Sequence, residues 1–503
     1  MTMKLTPQTM VIRASHMSVL VKPRLTGRKA NLDPMRLLAA VAGAVLVTAQ
    51  AQAQSRPAGR LAPELRRYID GVEWRRSLWG ALVVSVTRGD TLLSLNAERR
   101  FTPASNAKLF TTAAALHYLG GDYRFLTVLF ADGSLTRGTL HGDLVLFGTG
   151  DPTFGLDTAQ LAPFADSVLE AGIRRIQGDI IGDASFLGAE LTGPGWSPDN
   201  FDQPYSAPAS GLGAAENRIR IVVTPARSRG TPATVRMEPE SDYYQLASTV
   251  ITGAPGRAAD ITIRKGRAGG VLDVSGTIPA GGPWSTWVVV TGATRAVADS
   301  AGTRARLMLE RSAASADAFA DAIAVRRSAP LADIVSFINH RSHNLSAELV
   351  LRSVGRVRGG EGSFARGAHL VAQYLVSTLG ITSDNVRVTD GSGLSVLDET
   401  TPRALVQLLV QARRGRRPEG PSFYSSIPVM GTGAGRRLSG SAAAGRIRAK
   451  TGTLNGVSAL AGYVRTADNE ELAFSIMVNF APSVSEARAV QDSIVARLAA
   501  FAR

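Results

Sequence analysis

The spacing of apolar residues near the start of the chain predicts two helices with a hairpin between them. Apolar residues recur at helical spacing in 62–74 and again in 106–119. Two short apolar runs, 78–86 and 92–95, flank a turn signal, Arg-Gly-Asp, at 88–90. We therefore expect a helix, a β-hairpin and a second helix of about four turns.

The pattern changes between about Phe125 and about Asp299. Short β-like runs are separated there by many glycines and prolines. These runs are 144–147, 176–181, 219–223, 260–263 and 287–290. The pattern predicts a separate β-rich insertion at 126–299.

Helical spacing returns after the insertion, and the chain closes with strands. The helical stretches are 317–324, 331–337, 345–354 and 401–413. The predicted strands are 446–450, 457–465 and 472–480. The last stretch, 484–501, has an apolar stripe suited to covering a sheet. We expect an α+β domain, an antiparallel sheet flanked by helices, built from 55–125 and 300–503.

The N-terminal stretch is typical of a secretory signal peptide. An uncharged apolar run, 37–49, follows Arg36 and leads into Ala-Gln-Ala at 51–53. A membrane anchor is the alternative, but a span needs about 20 apolar residues, so we expect at most peripheral membrane contact. Residues 1–53 are therefore a signal peptide with a basic leader, or Met35 is the true start.

The charge of the exported part is lower than that of the whole chain. The formal net charge is +15, and seven basic residues against one acidic residue lie in 1–36, so their removal leaves about +9. Zinc-finger spacing, long Lys/Arg blocks and aromatic-basic interleaving are all missing, so we expect no nucleic-acid partner. An anionic cell-wall polymer, or simple solubility, accounts for the charge.

Several kinds of catalytic or binding site are excluded because the residues or motifs that they require are missing from the sequence. The chain has no cysteine, which removes disulfides, thiolate zinc sites and a cysteine nucleophile. It also lacks a G-x-S-x-G elbow, a P-loop, an H-E-x-x-H pair and a G-x-G-x-x-G loop.

The use of lysine singles out candidate reactive groups. Of 56 basic residues six are lysine, and only Lys108, Lys265 and Lys450 lie beyond residue 53. Arginine does not deprotonate in a protein, whereas a desolvated lysine can act as a base. Lys108 and Lys450 both lie in motifs, which favours a chemical role for them.

Ser105 and Lys108 have the spacing of a lysine-activated serine. They lie three residues apart at a predicted helix start, so both side chains project from one face. A lysine pKa of about 10.4 must fall before the amine can accept a proton at neutral pH. Burial would lower that pKa, and so would a second cation, for which Lys450 is the candidate.

A Lys-Thr-Gly-Thr motif supplies that cation on a predicted strand. Lys450 and Thr451 offer a positive slot for a substrate carboxylate. Gly452 permits close approach of another backbone before Thr453.

A Ser-x-Asn element completes the expected site, and three segments match it: 94–96, 342–344 and 383–385. The first lies in the predicted hairpin and the third enters a short strand. The second lies between two helical segments, where a turn can aim polar side chains, so we assign Ser342 and Asn344. His343 is expected to be an exposed neighbour of the motif.

Further motifs give the chain a family resemblance. They are Phe-Thr-Pro-Ala-Ser-Asn-Ala-Lys at 101–108, Gly-Asp-Leu at 142–144, Gly-Thr-Gly-Asp-Pro at 148–152, Gly-Pro-Gly-Trp at 193–196, Asp-Gly-Ser-Gly-Leu-Ser at 390–395 and Lys-Thr-Gly-Thr-Leu at 450–454. From about Ala62 to its C-terminus the chain resembles the class C low-molecular-mass penicillin-binding proteins of peptidase family S13. These are serine D-Ala-D-Ala carboxypeptidases that also act as endopeptidases.

The resemblance implies a fold and an activity. The fold would be the penicillin-recognising, β-lactamase-like serine transpeptidase domain, interrupted by the insertion. The activity would be cleavage of D-Ala-D-Ala and D-Ala-meso-diaminopimelate bonds in peptidoglycan stem peptides, in the periplasm. β-Lactam antibiotics would be covalent inhibitors, and no metal or cofactor is implied.

The resemblance also implies roles for the site residues. Ser105 would be acylated by the penultimate D-Ala carbonyl, with Lys108 as base and the backbone N–H groups of Ser105 and Thr453 as oxyanion hole. Ser342 would pass a proton to the leaving amine, and Asn344 would orient the substrate amide and Lys108.

The remaining implied roles concern the substrate carboxylate, which Lys450, Thr451 and Thr453 would hold. His343 departs from the family pattern, which commonly has an acidic residue between Ser and Asn.

Two alternatives stay open. Serine β-lactamases resemble the family, but they lack a large insertion, whereas Ser105 and Ser342 are 237 residues apart here. A non-catalytic peptidoglycan-binding homologue would keep the fold without turnover.

Overall fold

The computed structural model describes residues 56–503 apart from 72–73, 156–159, 202, 239, 241–243, 266–269, 290–321, 416, 418 and 433–436. The predicted signal peptide and leader, 1–53, lie outside the described residues. No helix in the described part is both long enough and apolar enough to cross a membrane.

Strands and helices are largely segregated along the chain, in an α+β arrangement. The strands are β1 Leu78–Ser85, β2 Thr91–Leu95, β3 Leu126–Thr136, β4 Thr139–Gly148, β5 Arg175–Ile176, β6 Ile180–Asp183, β7 Arg218–Thr224, β8 Thr234–Glu238, β9 Gln245–Ser248, β10 Ile251–Gly253, β11 Asp260–Lys265, β12 Val271–Pro279, β13 Trp284–Val289, β14 Ala322–Arg327, β15 Val386–Arg387, β16 Glu399–Thr400, β17 Ile447–Leu454, β18 Val457–Arg465 and β19 Glu471–Asn479. The helices are α1 Arg56–Arg67, α2 Ala107–Leu119, α3 Ala162–Glu170, α4 Leu331–Arg341, α5 Asn344–Gly359, α6 Phe364–Gln373, α7 Pro402–Arg414, α8 Gly420–Ser426 and α9 Val484–Ala499.

One five-stranded antiparallel sheet joins the two ends of the described chain. Its order is β17-β18-β19-β1-β2, and Leu78 of β1 pairs with Asn479 of β19. Strand β18 is buried along its length except at Arg465. Burial on both faces explains why this strand is nearly all apolar instead of alternating.

Helices cover both faces of this sheet. On one face Ala459 and Met477 pack in a core with residues of α2, α4, α5, α6 and α7. On the other face Leu460 and Phe474 pack against α9 and α1. The prediction that the last helix covers the sheet is therefore confirmed.

The region between the two sheet-forming segments is rich in strands, as predicted. It contains a sheet of order β14-β3-β4-β5 with β6 beside β4, a sheet of order β13-β7-β8, and a sheet of β10-β12-β11 with β9 beside β12. The division into a catalytic domain and an insertion with boundaries at 126 and 299 stays a prediction.

The predicted helix at 317–324 is wrong where the structure describes it. Residues 317–321 lie outside the described part, and from Ala322 the chain forms strand β14 against β3. Both faces of β14 are covered: Val325 packs in one cluster and Ile323 in another. A strand that is apolar on both faces has no alternation to distinguish it from a buried helix.

Other predicted elements differ in extent, among them the first helix and one strand. The first helix ends at Arg67 and not at Trp74. The predicted strand at 176–181 is divided into β5 and β6, with Gly178 between them. A Cβ at Gly178 would lie 2.2 Å from Asp143 Oδ1, so this bend is tightly packed.

Candidate active site

Ser105 and Lys108 lie at the start of helix α2. Residues 104–106 form a single 3₁₀ turn that leads directly into the helix. One turn of helix separates the two side chains, and Lys108 Nζ donates a 3.0 Å hydrogen bond to Ser105 Oγ. The predicted pair of hydroxyl and amine is therefore in contact.

Two glycines allow other segments to pack against this turn. A Cβ at Gly452 would lie 2.6 Å from Pro103 O and 3.1 Å from Ser105 N. A Cβ at Gly393 would lie 1.9 Å from Ala104 O. Ala104 itself has a φ of +47°, a left-handed conformation that costs a non-glycine residue of order 1 kcal/mol or more. Close packing around the turn holds this conformation.

Lys108 is completely buried and has two further acceptors. Its Nζ donates to Asn344 Oδ1 and to the Ser392 carbonyl oxygen, each at 2.7 Å. Burial lowers the pKa of Lys108 to about 8, and the negative charge of Glu348, Asp390 and Asp398 opposes this shift. The pKa lies far enough below that of a free lysine to leave a useful neutral fraction near neutral pH.

The second motif in chain order, Ser-His-Asn at 342–344, lies at the junction of two helices. Ser342 ends α4 in a left-handed conformation with a φ of +54°, and Asn344 is the first residue of α5. Asn344 Nδ2 donates a 2.9 Å hydrogen bond to the Tyr205 carbonyl oxygen. The junction therefore directs Asn344 towards Lys108 and also towards a loop of the intervening region.

The other two Ser-x-Asn segments lie elsewhere. Ser94 is exposed on strand β2, and Asn96 Nδ2 donates to the Trp79 carbonyl oxygen at 2.7 Å. Ser383 and Asn385 belong to a short 3₁₀ turn. Of the three, only the segment at 342–344 makes contacts with the candidate lysines among the described residues.

Lys450 lies on the edge strand β17 and is 1% exposed. Its Nζ donates at 2.8 Å to Ser342 Oγ and to the Thr451 carbonyl oxygen. Burial and the charge of Lys108 lower the pKa of Lys450 well below its usual range. A hydrogen-bonded path thus connects the third motif in chain order, Lys-Thr-Gly-Thr at 450–453, to the second.

Thr451 and Thr453 lie on the same side of β17, because they are two residues apart in a strand. Thr451 is half-buried and Thr453 is exposed. Thr453 Oγ1 accepts a 2.6 Å hydrogen bond from Arg488 on helix α9.

His343 is not the exposed neighbour that was expected. Its side chain is 18% exposed and packs beside the Phe337 ring. Nδ1 accepts from the backbone N–H of Ser346 at 3.3 Å, so His343 caps helix α5 as an acidic residue can. With Nδ1 accepting, the proton of the neutral ring is on Nε2, which lies 3.1 Å from Glu216 Oε2.

The pKa of His343 supports the neutral form. Burial, followed by the positive charges of Arg218 and Lys108, lowers it to about 4. Glu216 also pairs with Arg218, and its backbone has a φ of +57°. The carboxylate next to the second motif is thus that of Glu216, which lies in the strand-rich region between the two sheet-forming segments and not in the motif itself.

A buried carboxyl group beneath Lys108 was not anticipated from the sequence. Glu348 is one turn from Asn344 on α5, and its Oε2 accepts from the Gly391 N–H at 2.6 Å. Burial and the neighbouring Asp390 raise the pKa of Glu348 to about 8. A glutamate in a helix gives no signal in the sequence that it is buried.

The Asp-Gly-Ser-Gly-Leu-Ser segment at 390–395 builds a wall of the site. Asp390 accepts from the backbone N–H groups of Ser392 and Gly393 at 3.0 and 2.6 Å, and from Trp196 Nε1 at 2.9 Å. Asp398 accepts from the Thr389 N–H at 2.6 Å, and burial raises its pKa well above the usual range. These bonds fix the Ser392 carbonyl that binds Lys108.

The arrangement provides the parts of a serine acyl-transfer site. A hydroxyl contacts a buried amine of lowered pKa, and a second hydroxyl contacts a second amine. Ordinary lysine would be protonated at neutral pH, so burial is the property that makes proton abstraction feasible.

Comparisons with known proteins agree with this chemistry. A family model described as the D-Ala-D-Ala carboxypeptidase 3 (S13) family matches residues 61–501. A D-alanyl-D-alanine carboxypeptidase of Actinomadura sp. (strain R39) is 34% identical over 465 residues, which cover 87% of this chain and 85% of that protein.

A solved structure has the same fold. The crystal structure of penicillin binding protein 4 (DacB) from Haemophilus influenzae superposes with a TM-score of 0.71 at 20% identity, covering 88% of this chain and 99% of that one. The same protein complexed with a β-lactam superposes with a TM-score of 0.65 at 20% identity, covering 86% and 97%. The α+β fold predicted from the sequence is confirmed.

Proposed function

The chain belongs to the D-Ala-D-Ala carboxypeptidase 3 (S13) family, and from this premise we propose that Ser105 is the nucleophile with which it cleaves D-alanyl bonds. The protein is a serine D-Ala-D-Ala carboxypeptidase that acts on peptidoglycan. The roles of individual residues, the range of bonds cut and the place of action are the proposal.

The first step is attack on the penultimate D-Ala carbonyl. Lys108 in its neutral form accepts the Ser105 proton across the 3.0 Å contact as the Ser105 Oγ bonds to the carbonyl carbon. With a pKa of about 8, roughly a tenth of Lys108 is neutral at pH 7. Asn344 and Ser392 hold the amine in line with the hydroxyl.

The negative charge that develops on the carbonyl oxygen must be stabilised by hydrogen-bond donors. The backbone N–H groups of Ser105 and Thr453 are proposed as the oxyanion hole. The close approach of Gly452 to Ser105 N supports this assignment, because it brings strand β17 beside the nucleophile.

The leaving D-Ala amine needs a proton. Ser342 Oγ accepts from Lys450, so its own hydroxyl proton is free to be donated to the amine. Protonated Lys450 then returns a proton to Ser342. Lys108 releases the proton that it took from Ser105 to solvent, and Lys450 takes one up from solvent, so both amines return to their starting forms. Water then attacks the acyl-enzyme, with neutral Lys108 again accepting a proton.

The substrate carboxylate is proposed to bind on the third motif. Lys450, Thr451 and Thr453 provide one amine and two hydroxyl groups along β17. Gly452 keeps the strand close to the Ser105 turn. Asn344 orients the substrate amide.

Endopeptidase activity follows from the same chemistry. A cross-link between D-Ala and meso-diaminopimelate also places a D-Ala carbonyl next to the scissile amide. β-Lactams are proposed as covalent inhibitors, since their ring carbonyl can acylate the same hydroxyl. Action in the periplasm after removal of residues 1–53 fits a cell-wall substrate.

The observation that carries the proposal is the contact of one buried amine, Lys108, with both Ser105 Oγ and Asn344 Oδ1. The test is release of D-Ala from a muropeptide ending in D-Ala-D-Ala, followed by chromatography. Release by the wild-type chain and none by Ser105→Ala supports the assignment. Equal release by both chains overturns it.

A further inference from the structure

Arg488 lies at the end of the substrate slot formed by the third motif. It belongs to helix α9, and its Nη2 donates a 2.6 Å hydrogen bond to Thr453 Oγ1. Both side chains are exposed, so the guanidinium stands where solvent or a ligand can reach it. Arg488 belongs to none of the motifs assigned above.

The position of Arg488 is fixed by a buried residue one turn further along the helix. Gln491 is fully buried; its Oε1 accepts from Ser458 Oγ at 2.9 Å, and its Nε2 donates to the Ile476 carbonyl oxygen at 3.1 Å. Ser458 is the direct partner of Thr453 across β17 and β18. Gln491 therefore sets the register of the helix on the sheet, and this register places Arg488 beside Thr453.

Arg488 forms no ion pair with the described part of the protein. In the part of the chain that the structure describes, no carboxylate lies within 4 Å of its guanidinium. The neighbouring Arg437 differs, because its Nε pairs with Asp492 at 2.5 Å. Arg437 also donates to the Arg488 carbonyl oxygen at 2.9 Å, which keeps a second cation close by.

The geometry suits an anion beside Thr453. The Thr453 hydroxyl accepts from Arg488, so its own proton remains available for donation. A guanidinium has five N–H donors in a planar fork that matches a carboxylate. A carboxylate placed there would meet the guanidinium and the hydroxyls of Thr453 and Thr451.

We propose that Arg488 is a specificity-determining residue that recognises the free C-terminal carboxylate of the peptide substrate. This inference rests on the proposed function, in which that carboxylate lies along Thr451 and Thr453. It adds a cation from outside the three motifs, so that a D-Ala leaving group with a free carboxylate is preferred to one in which the carboxylate is blocked.

Two substrates with the same acyl part isolate this recognition. One is an N-acylated peptide ending in D-Ala-D-Ala, and the other ends in D-Ala-D-alaninamide. Both produce the same acyl-enzyme, so any difference in kcat/KM arises before the leaving group departs. The wild-type chain should prefer the free acid.

In Arg488→Gln we expect kcat/KM for the free acid to fall about 10- to 100-fold, the range expected for a charge-assisted hydrogen bond. The value for the amide should change by less than about threefold, since the amide has no charge to lose. Arg488→Lys should keep part of the preference. Arg497→Gln is the matched control, because Arg497 lies on the same helix but pairs with Glu64 at 2.6 Å.

A loss of the same size for both substrates would overturn the inference, since it indicates a structural role. No loss for either, or a wild-type chain without preference for the acid, would overturn it as well. In each of these cases Ser105-dependent release of D-Ala by the wild-type chain would persist, which separates failure of this inference from failure of the proposed function.

Discussion

Lys108 Nζ donates a 2.7 Å hydrogen bond to Asn344 Oδ1 across 236 residues of sequence. The contact joins the beginning of helix α2 to the beginning of helix α5. In the sequence, α2 precedes and α5 follows the strand-rich region between the two sheet-forming segments. The second motif therefore holds the proposed base as well as facing the substrate. Small movements of α5 would change how well Lys108 is aligned with Ser105.

Replacing the base with a residue that keeps the charge but does not deprotonate should abolish most activity. We expect Lys108→Arg to lower the rate of acylation about 10²- to 10⁴-fold, the usual contribution of a positioned base. Acylation by a chromogenic β-lactam under single-turnover conditions measures this rate. Lys265→Arg, on strand β11, makes the same chemical change outside the site and should have little effect.

The pH dependence of acylation should follow the neutral form of Lys108. Because this pKa is lowered to about 8, the rate should rise about tenfold per pH unit below that value and level off above it. Glu348 has its pKa raised to about 8, so the observed midpoint belongs to the pair.

Removing the charge of Glu348 should shift the pH midpoint of acylation in a predictable direction. The negative charge of Glu348 raises the pKa of Lys108, so Glu348→Gln should move the midpoint to lower pH. Glu361→Gln, an exposed change after the same helix, should leave the midpoint in place. A midpoint that moves upward in Glu348→Gln would contradict the arrangement of charges.

The glycine of the third motif should not tolerate a methyl group. In Gly452→Ala the new Cβ would lie 2.6 Å from Pro103 O, a backbone atom that cannot move without shifting the Ser105 turn. We expect acylation to fall at least about tenfold, with a loss of stability of about 1–3 kcal/mol. Gly282→Ala has open space around it and is the control. Equal behaviour of the two variants in acylation and thermal unfolding would show that the close approach is unimportant.

Because His343 lies beside Glu216, substitutions of these two residues should have non-additive effects on stability and acylation. His343→Asp would place a carboxylate next to that of Glu216, so we expect a lower melting temperature and slower acylation. Adding Glu216→Gln should restore part of both, with a coupling free energy of about 0.5–3 kcal/mol. Exposed His369→Asp is the matched control. Strict additivity in this cycle would mean that the two side chains do not interact.

Much of the catalytic framework is encoded in local sequence patterns. Helix α2 and strand β17 follow from apolar periodicity, and the contact of Ser105 with Lys108 follows from a separation of one helical turn. The choice of Ser342 and Asn344 depended on a turn between two helices, which is a local feature as well. Their functional roles remain proposals.

The parts that could not be predicted depend on long-range packing. Glu348 has the sequence signature of an ordinary helix surface residue, and its burial results from the packing of α5 against the segment at 390–395. Tyr205 contributes a backbone carbonyl, which no side-chain pattern reveals. His343 looked exposed because the element that covers it, around Glu216, is more than a hundred residues away. Arg488 is one arginine among many in this chain.

The measurement that tests the central claim most directly is intact-mass analysis of the protein after reaction with a penicillin, followed by peptide mapping. One penicilloyl group per chain, located on Ser105, absent in Ser105→Ala and persisting long after excess penicillin is removed, is the predicted result. Rapid loss of the adduct would indicate a β-lactamase instead. Labelling of another residue, or undiminished labelling of Ser105→Ala, would contradict the assignment of Ser105 as the nucleophile.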